Sequence, residues 1–271
     1  HAGPDKYDEE YLNYVQAIVR KAEEYNINVF VDPHQDVWSR FTGGDGAPYW
    51  TLEVAGFDPL KFTDTGSAFI HNVKGDPFPR MIWPTNYNKL GAATMFTLFF
   101  GGNDFAPNIK VDGVSIQDYL QSHYVNAITQ VALKLKGMPN VIGFDTFNEP
   151  GAGYIGMPDL HAHGLLKSGI LPTPFEGMAL GGTNSFEVDI YEFALAAPKV
   201  IGKELMNPYK FSAWNGVDIW KEAGVWGYDE QQKPVVLNPN YFTIVNGKPV
   251  NFSANYFKPF ALRFKEAIHA V

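Results

Sequence analysis

Between Asp8 and Asn26 apolar residues fall at Tyr11, Leu12, Val15, Ile18, Val19 and Ala22 with charges between them, the spacing of an amphipathic helix. Asn26-Ile27-Asn28 then leads into Val29-Phe30-Val31, closed by Asp32-Pro33. That apolar run is too short for a helix and rich in β-branched residues, so it predicts a buried strand. The order repeats further on. An amphipathic stretch from Ile116 to Lys136 passes through Gly137-Met138-Pro139 into Val141-Ile142-Gly143-Phe144-Asp145, again a helix feeding a buried strand. A last amphipathic stretch, Tyr256 to Ala270, ends the chain without a strand after it.

Helices alternating with buried strands predict an α/β fold with a parallel sheet, in the manner of a (β/α)8 TIM barrel, whose functional groups gather at the C-terminal ends of the strands. Two segments interrupt the alternation and are read as insertions over those ends. Residues 41–115 are rich in Gly, Pro and aromatics, and residues 151–251 carry Trp214, Trp220 and Trp226. Only two barrel-type strands are legible against the eight of a closed barrel. The expectation is therefore the central part of a barrel, spanning residues 1–271 as one domain, with a further segment or a second chain to complete it. The opening His1-Ala2-Gly3-Pro4-Asp5 shows neither an initiator Met nor a signal-peptide pattern, and the expectation is that a segment precedes it.

Composition narrows the function classes. Of 271 residues, 45% are hydrophobic and 18% charged, as in a soluble globular protein. The 29 acidic residues outnumber 21 basic ones, for a net charge of -8, which argues against a surface that tracks nucleic-acid phosphates. The most apolar stretch, Ala92 to Phe100, includes two threonines and is about half the length needed to cross a bilayer. The chain has no cysteine, which removes disulfides, thiolate metal sites and cysteine nucleophiles.

The chemistry concentrates where the two strands end. Asn148-Glu149-Pro150 follows the second strand. A carboxyl group at the mouth of an apolar strand is expected to be partly desolvated, which favours its protonated form and suits it to donate a proton near neutrality. The competing reading is a loop-starting Glu between two strand terminators; the apolar run before it favours the acid. His34, Gln35 and Asp36 follow the first strand and share that mouth, where imidazole and carboxylate groups can fix hydroxyls of a bound sugar. Their plain alternative is a polar turn in which Asp36 caps backbone groups. Arg40 could partner one of these acids, and its role is left open. His161-Ala162-His163 has the spacing of two metal ligands but no third ligand in a recognisable pattern, and it reads as a loop pair. Gly43-Gly44-Asp45-Gly46 and Gly101-Gly102-Asn103-Asp104 lack the strand-to-helix frame of nucleotide-binding loops.

Three segments carry a resemblance: His34 to Trp50 (HQDVWSRFTGGDGAPYW), Thr94 to Gly102 (TMFTLFFGG), and Asn140 to Gly156 (NVIGFDTFNEPGAGYIG). The chain resembles glycoside hydrolase family 5, in the branch of glucosylceramidases, steryl β-glucosidases and endoglycoceramidases. The resemblance implies a retaining β-glycosidase that removes glucose from a hydrophobic aglycone, with two carboxylates about 5 Å apart. Glu149 matches the general acid and base; His34, Asp36 and Asn148 match positions that hold the glycone. No cofactor and no metal are implied, and a glycolipid substrate brings peripheral membrane contact into view. The nucleophilic Glu is expected on a strand beyond the region matching Phe257 to Val271. Glu187, Glu192, Glu204, Glu222, Glu230 and Glu266 do not fit that role, since none follows a buried strand. Rival readings are an endoglycoceramidase releasing an intact glycan, a non-catalytic glycolipid-binding fragment, and an endoglucanase acting on soluble glucan.

Overall fold

A computed structural model describes residues 3–194 and 197–271. Helix α1 (Glu9–Glu24) begins where the Asp8 side chain accepts the Tyr11 N–H at 3.0 Å, as an N-cap does. It is followed by strand β1 (Val29–Val31). Far along the chain, helix α2 (Leu90–Phe105) precedes helix α3 (Ile116–Leu135), which leads into strand β2 (Val141–Phe144). The two strands lie side by side in parallel, with Val31 opposite Phe144. Both helix-then-strand units read from the sequence are therefore present, and their strands are neighbours.

Buried Asn140 ties the first unit to the second. Its Nδ2 donates to Val19 O at 2.9 Å and to Ile27 O at 3.2 Å, while Val29 N donates to Asn140 O at 2.7 Å. Within these 271 residues the strand pair is only partly covered. Phe30 is 56% exposed and Ile142 66% exposed, so the described residues leave these two apolar side chains uncovered.

The core is built around α2 instead. All of its residues except Asn103 and Asp104 are buried. The helix packs on α3, and its aromatic rings reach across to the end of the chain: Phe99 lies 5.1 Å from Phe260 on helix α5 (Lys258–His269), ring centre to ring centre. Trp38, just past the first strand, meets Phe96 at 5.5 Å and Phe99 at 5.6 Å, in the edge-on geometry aromatic pairs prefer. Arg263 of α5 donates to Asp118, Gln121 and Ser122 of α3. Residues 41–115 thus contribute the centre of the molecule and not only loops above the strands.

At the head of α2, Lys89 is fully buried. Its Nζ donates to Thr85 Oγ1 and stands 5.2 Å from the centre of the Phe69 ring. Burial without a carboxylate pushes the amine down to about 7, because the charged form loses its hydration.

The second insertion also has regular structure that the sequence pattern does not reveal. Strand β3 (Gly169–Ile170), helix α4 (Pro174–Gly181) and strands β4 (Phe186–Glu192) and β5 (Lys199–Met206) follow in order. The three strands form an antiparallel sheet in the order β3-β4-β5. Val188 and Met206 turn inward to a small cluster with Phe69, Ile82, Ile170 and Leu180, while Val200, Ile201 and Leu205 are exposed.

Candidate functional site

The pairing of the two chain segments continues beyond the strands. Asp145 N donates to Val31 O at 2.8 Å, and Asn148 N to Pro33 O at 3.4 Å. Tyr124 of α3 donates its hydroxyl to Thr146 O at 2.8 Å. These bonds bring His34, Gln35 and Asp36 beside Asn148 and Glu149, as expected for two neighbouring parallel strands.

His34 and Asp36 form a pair, with His34 Nε2 3.1 Å from Asp36 Oδ2. Asp45 joins them: its Oδ1 lies 3.9 Å from the same nitrogen. Asp36 and Asp45 also exchange backbone hydrogen bonds of 3.2 and 3.1 Å. The hydrogen bond from Asp36, with the charges of Asp36, Asp45 and Asp32, holds the His34 imidazole above its ordinary pKa against a small opposing effect of burial. The glycine-rich segment has its explanation here. A side chain at Gly44 would place its Cβ 2.0 Å from Asp36 O, and one at Gly46 would meet Gln35 Cβ at 2.6 Å. Asp45 can reach His34 only because its neighbours let two backbones touch.

His34, Asp36 and Asp45 offer three ligand atoms within 4.8 Å of one another. They are polar groups of mixed exposure already bonded to each other, and the cluster alone does not define a metal centre.

Gln35 is turned the other way and is buried. Its Nε2 donates to Asn148 O at 2.8 Å, to Tyr87 Oη at 3.1 Å and to Glu149 O at 3.2 Å; its Oε1 accepts from Trp38 N at 2.9 Å. Asn148 Nδ2 returns a bond of 2.9 Å to Gln35 O. Sequence reasoning gave Gln35 no role of its own, and Tyr87 it did not single out. Tyr87 is stacked on Phe96 at 5.6 Å and its hydroxyl pKa is raised, chiefly by burial.

The backbone here is unusual. Val37, Trp38 and Glu149 have φ values of 44°, 79° and 39°, in the left-handed region that non-glycine residues seldom adopt and that clusters at functional sites. The Glu149 side chain is exposed and makes no hydrogen bond among the described residues.

The remaining candidates fall elsewhere. Arg40 is exposed and has no ion pair among the described residues. His161 lies tilted against Phe175 and His163 edge-on to Tyr191, both in a loop. Glu187, Glu192 and Glu204 sit exposed on β4 and β5. Beside His34 lies an apolar cavity of about 340 Å³ whose walls include Trp38, Trp50, Phe99, Tyr124 and Phe147.

Polar side chains converge at the C-terminal ends of two adjacent parallel strands, each led into by a helix, which is where α/β barrel proteins carry their sites. The Cellulase (glycosyl hydrolase family 5) profile matches residues 1–156. The chain belongs to glycosyl hydrolase family 5, and its fold is of the (β/α)8 barrel type. It is 41% identical to a glucosylceramidase of Rhizopus delemar over 100% of this chain and 41% of that protein. It is 37% identical to the ergosteryl-beta-glucosidase of Saccharomyces cerevisiae over 90% of this chain and 38% of the relative. The crystal structure of Cryptococcus neoformans sterylglucosidase 1 with tris superimposes with a TM-score of 0.92 at 34% identity, covering 99% of this chain and 42% of that one. The chain thus spans about two fifths of the length of these relatives.

Proposed function

We propose that this protein hydrolyses β-glucosides of a hydrophobic aglycone, of the glucosylceramide or steryl glucoside kind, with retention of configuration. The observation that carries the reading is the junction of the two strand-end clusters, where Gln35 and Asn148 bond His34-Gln35-Asp36 to Asn148-Glu149. Relatives named glucosylceramidase and ergosteryl-beta-glucosidase, similar over nearly all of this chain, support the choice of substrate. So does the apolar cavity beside His34, since such a surface suits an alkyl or ring-fused aglycone.

In this reading Glu149 protonates the glycosidic oxygen as the bond breaks and later takes a proton from water. His34 and Asp36 hold glycone hydroxyls. Asn148 has its Nδ2 engaged by Gln35 O, which leaves its Oδ1 to accept from a sugar hydroxyl. The retaining route needs a second carboxylate about 5 Å from Glu149, and the family resemblance sets it after the region matching Phe257 to Val271.

The test is product analysis with the full-length protein on glucosylceramide, a steryl β-glucoside and a ganglioside. Free glucose from the first two, released first as the β-anomer, is the expected outcome. Release of an intact oligosaccharide from the ganglioside would replace the reading with an endoglycoceramidase, and binding without any product would replace it with a glycolipid-binding protein.

A further inference from the structure

The acid assigned to Glu149 has no side-chain anchor among the described residues, so its aim depends on its backbone. That backbone is held in the left-handed region at φ 39°, a costly conformation for a non-glycine residue that persists only where neighbours enforce it. Gln35, Tyr87 and Phe96 are those neighbours. The Gln35 amide meets the carbonyls of Asn148 and Glu149 and the Tyr87 hydroxyl, and is itself fixed by Trp38 N. On the far side, Tyr87 and Phe96 press against the chain just after Pro150. A Cβ at Gly151 would come within 2.9 Å of Phe96 Cδ2 and 3.1 Å of Tyr87 Cδ1.

We propose that Gln35 is the positioning residue of the acid: with the Tyr87 hydroxyl it clamps the Asn148–Glu149 peptides and thereby points the Glu149 carboxyl at the leaving oxygen. The inference rests on Glu149 being that acid. Gln35 touches no substrate in this account; it acts through the two carbonyls. Its burial and its four partners, drawn from three separate stretches of chain, distinguish it from the exposed His34 and partly exposed Asp36 on either side.

In kcat/KM, which reports only the steps up to bond breaking and not the later attack of water, a misaimed acid harms only substrates that need its proton. The experiment compares kcat/KM of the full-length protein on an alkyl β-glucoside and on 2,4-dinitrophenyl β-glucoside, whose leaving group departs unprotonated. Gln35→Met keeps length and apolar bulk but removes every amide bond. We expect a loss of about 10- to 100-fold on the alkyl glucoside, in line with the effect of a misplacement of about 1 Å, and a change of less than about threefold on the dinitrophenyl substrate. Gln35→Glu sets a carboxylate against two carbonyls, so its alkyl-glucoside activity should recover as pH falls and the acid regains an O–H donor. Tyr87→Phe, which keeps the ring, should give the same selectivity with a smaller loss, and it carries the test if the Gln35 variants do not fold. Equal losses on both substrates, or none on the alkyl glucoside, would overturn the proposal. Glu149→Gln serves as the reference: if it shows leaving-group dependence and Gln35→Met does not, only the role of Gln35 falls; if Glu149→Gln shows none, the acid assignment falls with it.

Discussion

The strand pair and the α2 helix divide the work of this molecule differently from what their positions in the chain suggest. β1 and β2 give the site its direction, because their parallel alignment sets His34 and Asn148 on one mouth. Within these 271 residues they contribute little apolar burial, with Phe30 and Ile142 more than half exposed. α2, from an insertion, is buried on almost every side and supplies the packing. It also braces the site directly, through Phe96 behind Tyr87 and Phe99 behind Trp38. Geometry of the chemistry and mass of the core thus come from different segments, joined at Gln35, Trp38 and Tyr87.

The sharpest way to break this contrast is to remove a ring from each region and compare thermal or denaturant unfolding. Phe99→Ala should destabilise by about 3–5 kcal/mol, the cost of a large aromatic lost from a packed interior, since Phe99 touches Trp38, Phe100, Tyr124, Phe147 and Phe260. In the 271-residue chain by itself, where Phe30 is exposed, Phe30→Ala should stay within about 0.5 kcal/mol, as substitutions at exposed positions do. Equal costs would mean that the strand pair is as much a core as the helix.

A second comparison sharpens the account of α2. Lys89 is held near 7 in the fold, well below its ordinary value. Between that value and the ordinary lysine range the unfolded chain binds the extra proton, so stability should rise with pH across this window and fall as pH drops through about 7. Lys89→Met should remove that slope and raise stability at pH 7 by about 2–4 kcal/mol. A stability profile unchanged by the substitution would contradict the burial of a costly charge at the head of the helix.

How much of this was legible follows the same division. α1, α3 and α5 announce themselves by one-sided apolar spacing, and β1 and β2 by short β-branched runs. The clusters His34-Gln35-Asp36 and Asn148-Glu149 were placed on one mouth because each follows such a run. α2 was harder, because a helix apolar on all sides has no polar face to reveal its period. β5 escaped for the opposite reason: Val200, Ile201 and Leu205 face solvent, so its pattern does not alternate between core and water. The Asp45 contact and the clamp on Glu149 depend on segments about 10 to 110 residues apart in sequence, and no spacing within one segment encodes them. The left-handed φ of Glu149 was likewise invisible, since it is held by tertiary neighbours and not by its own sequence.

The central claim is that Glu149 at the end of β2 is the proton donor of a family 5 glucosidase. Its most direct test is kcat/KM for Glu149→Gln in the full-length protein on glucosides with poor and good leaving groups. The account predicts a fall of about 10²- to 10⁴-fold on an unactivated lipid or alkyl glucoside and a far smaller change on the dinitrophenyl glucoside. An unchanged rate on the unactivated substrate would contradict it.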